Sequence, residues 1–243
     1  MVSVGFKTDQ GKLREDNEDA LFVLPQQQIY IVADGVGGHN SGELASRMTA
    51  SYMAQYVSIN PIADAKGKRE LKRYFKACFE GANDLIFKKA AAEPHCFGMA
   101  TTAVLCYLKG KTAYVVNVGD SRAYLIRDGV LRQITEDHTC VQELINQGLI
   151  TPEEAEKRPD KNMITRAIGG EETIKPDFFD FEVYKGDVII LCTDGLYGEL
   201  SNENILAIAK KSKTMRSFAG NLVNEANKAG GRDNITAVCI RIQ

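Results

Sequence analysis

The chain has 243 residues, 44% hydrophobic and 26% charged, with a formal net charge of -2. This is the composition of an ordinary folded protein, and its charge sets up no field that would draw nucleic acid or an anionic membrane. The 30 basic residues are scattered in short runs such as KGKR at 66–69, so a phosphate-tracking groove and a nucleic-acid partner are excluded.

The elements follow in chain order. SVGFKT, ALFVL and IYIVAD have strand character, and PQQQ connects the second and third as a hairpin. In SGELASRMTASYMAQYVS, Leu44, Met48, Tyr52 and Tyr56 recur every four residues, which predicts a helix. A second helix is predicted where Leu71, Phe75, Cys78, Ala82, Leu85 and Ile86 share one face and lysines the other. TTAVLCYL, TAYVVNVGD, SRAYLIR and VLRQI then suggest an antiparallel meander, with Asp128-Gly129 as a two-residue turn because both positions tolerate positive φ. Residues 137–165 interrupt the strands. They hold a short helix ending at Gly148 and another opened by Thr151-Pro152-Glu153-Glu154, whose Thr and Glu have capping-box spacing. An insertion of this kind between strands is expected to be a mobile flap. Strands near DFFDFEVY and DVIILCTD, helices over 202–211 and 214–228, and a last strand ITAVCIRI complete the chain. No linker or repeat divides it, so one domain over 1–243 is expected. Strands and helices come in blocks, which argues for an antiparallel α+β arrangement.

The six cysteines form no CxxC pair and most sit in apolar segments, which suits reduced, packed thiols and a cytoplasmic location. No apolar run approaches the roughly 20 residues needed to span a bilayer, and MVSVGFKTD does not have the basic-then-apolar pattern expected of a signal segment.

The acids are placed unusually. Glu18 and Asp19 precede ALFVL, Asp34-Gly35 ends IYIVA, Asp120 ends AYVVNVG, Asp194-Gly195 ends VIILCT, and Asp233 precedes ITAVCIRI. A single Asp-Gly at a strand end is usually a turn. Several acids gathered at one rim would instead repel by several kcal/mol unless a cation neutralised them. Hard divalent ions suit such a set, because Mg²⁺ and Mn²⁺ take carboxylate, carbonyl and water oxygens without needing histidine.

Eight stretches, KTDQGKLREDNEDA, VADGVGGHNSGELAS, GMATTAV, NVGDSRAYLIRDGVL, ITEDHT, ITRAIGG, LCTDGL and GGRDNITAV, occur in this order from residue 7 to 239. In these the chain resembles the metal-dependent protein Ser/Thr phosphatases of the protein phosphatase 2C (PPM) type, in their compact bacterial form. The resemblance implies a central β-sandwich of two antiparallel sheets flanked by helices on both sides, with two Mn²⁺ or Mg²⁺ ions at one edge. It implies that Asp34 bridges the ions and the Gly35 carbonyl binds one. Asp194 and Asp233 bind the other, and Glu18 and Asp19 hold metal-bound waters. A third, weaker ion seen in bacterial relatives would rest on Asp120 and Asp194.

The expected chemistry is attack by a metal-bridging hydroxide on phosphoserine or phosphothreonine, with Arg14 binding phosphoryl oxygens through its planar fork. Pairing of Arg14 with Glu15 or Glu18 is the plainer alternative. His39 is either the proton donor to the leaving group or a support of the Gly-rich turn, and Val36 stands where eukaryotic relatives carry a His. His138 is expected to be a loop or hinge residue, Thr101 and Thr102 to pack at the site edge, and Asp16 and Asn17 to shape the turn. Ala100 replaces a usual Gly, and the flap reads RPDKN where His-Pro and Arg are common. The implied partners are phosphoproteins, including a Ser/Thr protein kinase and its substrates, and the family suggests a monomer. Two rivals remain: a phosphatase for a phosphorylated anti-sigma antagonist, and a non-catalytic pseudophosphatase. Cysteine-based, P-loop and other metallophosphatase readings fail because their residue patterns are missing.

Overall fold

The computed structural model describes residues 2–36 and 41–243. Its elements are β1 (Val2–Asp9), β2 (Asp19–Leu24), β3 (Ile29–Val36), α1 (Ser41–Ile59), α2 (Lys68–Ala92), β4 (Ala100–Thr101), β5 (Ala103–Lys109), β6 (Thr112–Val118), β7 (Arg122–Arg127), β8 (Val130–Gln133), α3 (Cys140–Asn146), α4 (Pro152–Ala155), β9 (Asp177–Glu182), β10 (Val188–Cys192), α5 (Asp194–Tyr197), α6 (Asn202–Lys211), α7 (Met215–Ala229) and β11 (Ile235–Ile242). One sheet runs β1-β11-β10-β7-β8 and the other β2-β3-β5-β6-β9, with β4 added beside β3. All pairings are antiparallel.

Side-chain alternation builds three apolar layers from these strands. In β3, Ile29 and Ile31 face α1 and α2, where they meet Met53, Phe75 and Phe79. Tyr30 and Val32 face the other sheet and meet Val104, Ile189 and Val238. In β10, Ile190 and Cys192 pack under Phe218 and Leu222 of α7, while Ile189 and Leu191 fill the space between the sheets. Strands covered on both faces read as continuous apolar runs, which is why VIILC and IYIVA carry no polar alternation. The result is the four-layer sandwich that the resemblance implies.

The turns follow their residues. Asp128 and Gly129 both have positive φ, 51° and 78°, as the two-residue hairpin requires. Thr151 and Glu154 complete the expected capping box at α4.

One expectation needs correction. The meander does not continue through residues 100–133: β5 and β6 pair in one sheet, β7 and β8 in the other. The chain crosses between sheets at Gly119-Asp120. Gly119 has φ 95°, and a Cβ there would lie 2.5 Å from the Thr102 side chain, so only glycine makes this crossing without strain. The two ends of residues 137–165 are paired with each other at the base of the segment: Thr165 N donates to His138 O at 2.8 Å and Cys140 N to Met163 O at 2.9 Å.

Candidate active site

The strand register decides which acids meet. In the β2–β3 pair, Asp19 lies directly opposite Asp34. Like charges facing each other across a ladder destabilise it. The second sheet adds Asp194, which opens the one-turn α5 after β10, and Asp233, just before β11. Thr193 joins the sheets: its hydroxyl donates to Asp19 Oδ2 at 2.9 Å and accepts from Thr236 N at 3.0 Å. The crossing at Gly119 delivers Asp120. Arg14, Glu18, Asp34, Gly35, Asp120, Asp194 and Asp233 all line one cleft of about 330 Å³, together with Thr102, Asn234 and two flap residues, Asn162 and Ile164.

Backbone packing around the acids is close. A Cβ on Gly35 would lie 2.2 Å from the Gly42 carbonyl, and one on Gly195 2.1 Å from the Asn234 carbonyl. Both Asp-Gly pairs therefore need their glycine for contact with a neighbouring chain segment, and neither is a free turn. Thr101 and Thr102 do more than pack at the edge. Thr101 Oγ1 and Thr102 N both donate to Asp34 O, at 2.7 and 2.8 Å, and Thr102 Oγ1 accepts from Asp34 N at 3.1 Å.

The REDNED segment is held by a residue that sequence reasoning missed. Asn234 Nδ2 donates to the carbonyls of Gln10 and Asp16, each at 2.8 Å, and its Oδ1 accepts from Glu18 N at 2.8 Å. One buried amide thus ties the loop carrying Arg14 and Glu18 to the start of β11. The RDN motif at 232–234 contained the signal, since an Asn beside a proposed ligand can reach backbone that an Asp cannot donate to. Asn17 shapes the turn as expected, donating to Thr8 Oγ1 at 2.9 Å and accepting from Asp19 N at 3.1 Å.

Arg14 pairs with neither Glu15 nor Glu18. Its Nη2 donates to Asp233 Oδ2 at 2.7 Å, and the side chain remains half exposed at the mouth. His138 is not a hinge: it is 2% exposed, accepts from Gly119 N at its Nδ1 (3.0 Å) and meets Asp177 Oδ2 through Nε2 (3.2 Å). It locks the crossing that positions Asp120. His39 lies outside the described residues.

The electrostatics are those of crowded acids with a cation, Arg14, at the rim. Burial, added to repulsion from Asp19, Asp194, Asp120 and Asp233, holds the Asp34 carboxyl well above its usual range. Burial raises Asp19 to about 7; the Thr236 and Thr193 hydroxyls oppose the rise, and Asp194 and Asp233 add to it. Asp120 is raised to about 7 by burial and then by Asp194 and Asp137. Asp194 reaches about 6 through burial and Asp233, with Arg14 opposing. Burial also raises Glu18, against the pull of Arg14. One oxygen, Asp19 Oδ1, is buried with no hydrogen-bond partner. An all-oxygen donor set, raised carboxyls and an orphaned buried carboxylate oxygen together fit hard divalent cations.

Comparison with known proteins agrees with this geometry. A family profile described as Protein phosphatase 2C matches residues 8–237. The chain belongs to the protein phosphatase 2C family. The serine/threonine phosphatase stp of Listeria monocytogenes is 35% identical over 239 residues, covering 97% of this chain and 94% of that protein. Among solved structures, the S. agalactiae serine/threonine phosphatase superposes with a TM-score of 0.92 at 31% identity, covering 100% of both chains. The catalytic domain of the serine threonine protein phosphatase PstP, in complex with 2 manganese ions, superposes with a TM-score of 0.85 at 33% identity, again over 100% of both chains. The family's two-sheet, four-layer fold is thus the fold of this chain.

Proposed function

We infer that this chain is a metal-dependent protein serine/threonine phosphatase that hydrolyses phosphoserine and phosphothreonine with two Mn²⁺ or Mg²⁺ ions. The observation that carries the reading is the convergence of carboxylates from both sheets on one cleft, with an arginine at its mouth.

Asp34, the Gly35 carbonyl, Asp194 and Asp233 are assigned to the two principal cations. Glu18 and Asp19 act at one water's remove. Asp120, with Asp194, is assigned to a third, weaker ion. The cations, when bound, draw charge from the phosphoryl oxygens and make a water acidic enough to ionise near neutral pH. The protein's own part is orientation. Asn234 holds the REDNED loop, Thr101 and Thr102 hold the backbone of Asp34, and Thr193 holds Asp19. Arg14 uses one of its five donors on Asp233, and its fork is suited to two phosphoryl oxygens at once. The attacking water loses a proton to solvent, its oxygen bonds to phosphorus, the bond from phosphorus to the Ser or Thr oxygen breaks, and that oxygen takes a proton from His39 or from water in the open cleft.

The substrate is the product of a Ser/Thr protein kinase, so the enzyme opposes such a kinase and acts on it and its targets. A cytoplasmic monomer is the setting we propose. All six cysteines are free and most are buried, and no helix among the described residues is long and apolar enough to cross a membrane.

The test is phosphate release from a phosphothreonine peptide by metal-stripped protein, with Mn²⁺ titrated back, beside Asp194→Asn. Metal-dependent release that falls by more than the about 10–100-fold expected for an outer-shell change is the expected result. Folded protein that releases no phosphate at saturating Mn²⁺ would mean a pseudophosphatase.

A further inference from the structure

The turn that joins α2 to β4 reads Glu93-Pro94-His95-Cys96. Pro94–Cys96 forms a single 3-10 turn, a geometry in which residues three apart eclipse each other. Glu93 and Cys96 therefore project to the same side. Cys96 N donates to Glu93 O at 2.8 Å, and Cys96 Sγ donates to Glu93 Oε2 at 3.6 Å. His95 Nε2 lies 3.4 Å from the same Oε2. One thiol, one imidazole nitrogen and one carboxylate oxygen thus stand within 4.8 Å of one another.

Two of the three separations, both made at Glu93 Oε2, match a particular coordination. Tetrahedral Zn²⁺ binds sulfur at about 2.3 Å and nitrogen or oxygen at about 2.0–2.2 Å. Ligand-to-ligand edges of about 3.3–3.6 Å follow from those bond lengths. The observed edges of 3.4 and 3.6 Å fall in that range. The cluster opens to solvent on one side only: the His95 side chain is 76% exposed and that of Glu93 39%, while Cys96 lies beneath them at 1%. Lys89 Nζ donates to the other carboxylate oxygen, Glu93 Oε1, at 2.7 Å, so Oε2 is aimed without being consumed. The sulfur and nitrogen donors also separate this place chemically from the catalytic cleft, whose donors are all oxygen.

We propose that Glu93, His95 and Cys96 form a binding site for one borderline cation of the Zn²⁺ class, separate from the Mn²⁺ or Mg²⁺ centre, with water in the fourth position. On binding, the Cys96 S–H bond breaks and its proton passes to solvent, a sulfur–metal bond forms, and neutral His95 and ionised Glu93 each donate a lone pair. No oxidation is involved. The site is tied to the catalytic cleft by short connections. Ser41 Oγ, at the start of α1, donates to His95 O at 2.9 Å. Met99 N donates to Cys96 O at 3.0 Å, and the next residues form β4, which pairs with Gly35 and Val36. A cation held here fastens the end of α2 to the strand that supports Asp34.

The test uses Co²⁺ as a spectroscopic probe on the intact chain with Mg²⁺ saturating the oxygen-lined cleft. One equivalent of Co²⁺ gives a thiolate-to-cobalt charge-transfer band, and Zn²⁺ competes it away. Cys96→Ser abolishes the band. His95→Ala, which alters only an exposed side chain, weakens Co²⁺ binding by more than about tenfold. At the same Zn²⁺ concentration the melting temperature of the parent protein rises more than that of His95→Ala. Absence of the band in the parent protein overturns the proposal. So does a band that survives Cys96→Ser, or one whose affinity is unaltered by His95→Ala.

Discussion

Two clusters of charge lie side by side in this molecule and are treated in opposite ways. In the cleft, Asp19 and Asp34 face each other across a ladder, and Asp19 Oδ1 has no partner. Two residues beyond Asp120, Arg122 gives Asp137 three contacts, from Nε at 3.0 and 2.9 Å and from Nη2 at 2.6 Å, while Gln133 supplies a fourth at 2.8 Å. His138 and Arg166 both meet Asp177. Tyr197 connects the clusters: Arg122 stacks over its ring at 3.6 Å, and its hydroxyl donates to Asp120 O at 3.0 Å. Satisfied buried charge at the root of the flap fixes geometry. Unsatisfied buried charge in the cleft stores the repulsion that a cation relieves.

The largest effect that would expose this difference is the pH dependence of the cation-free protein. Asp19 and Asp120 sit at about 7 and Asp194 at about 6, against an ordinary 3.8. Between these values the folded state binds more protons than the unfolded chain. Their contribution is therefore fully present below about 4 and is lost as pH rises through 6 to 7. Denaturant midpoints of metal-stripped protein should fall from pH 5 to pH 8, and saturating Mg²⁺ should remove the trend. His138 works the other way. Burial, and then Arg166, lower its pKa against Asp177, so its contribution is present above about 6.5 and is lost as pH falls through the lowered value. A metal-stripped midpoint that is flat or rises from pH 6 to pH 8 would remove the contrast between the clusters.

Substitution at the satisfied cluster should come next in size. Arg122→Ala strands Asp137, whose side chain is 10% exposed, and should cost about 3–5 kcal/mol in chemical denaturation. Asp194→Asn in metal-stripped protein should be neutral or stabilising, because it removes the repulsion from Asp233 and keeps a side-chain oxygen for the Gly195 N–H. Equal losses in the two variants would mean that the clusters do not differ.

Much of the architecture was legible because buried strands and capped helices are local patterns. The two-face burial of IYIVA and VIILC, the turn at Asp128-Gly129 and the capping box at Thr151 all depend on residues a few positions apart. The acids were legible because each sits at a strand end and several recur beside glycine. What escaped depends on distant partners. Nothing near Gly119 announces that the chain changes sheets there, since the constraint comes from Thr102 and His138. His138 looked like a loop residue because its partner Asp177 lies 39 positions away. The one-turn α5 is too short to show a period.

Asn234 offers the finest discrimination, because it belongs to neither cluster and holds the cleft only through backbone. Its amide spans a separation of 216 to 224 residues in sequence. Asn234→Ala leaves the Gln10 and Asp16 carbonyls and the Glu18 N–H without this partner, and should cost about 1–3 kcal/mol of stability. If the loop it holds serves the cations, Mn²⁺ affinity measured by calorimetry should also fall by about 10–100-fold. Asn234→Asp should rescue neither quantity. A carboxylate can accept from Glu18 N but cannot donate to the two carbonyls, and it adds negative charge beside Asp233. A variant that loses stability while keeping full Mn²⁺ affinity would make Asn234 part of the framework alone. The positions of Arg14 and Glu18 would then have to be set by the cations themselves.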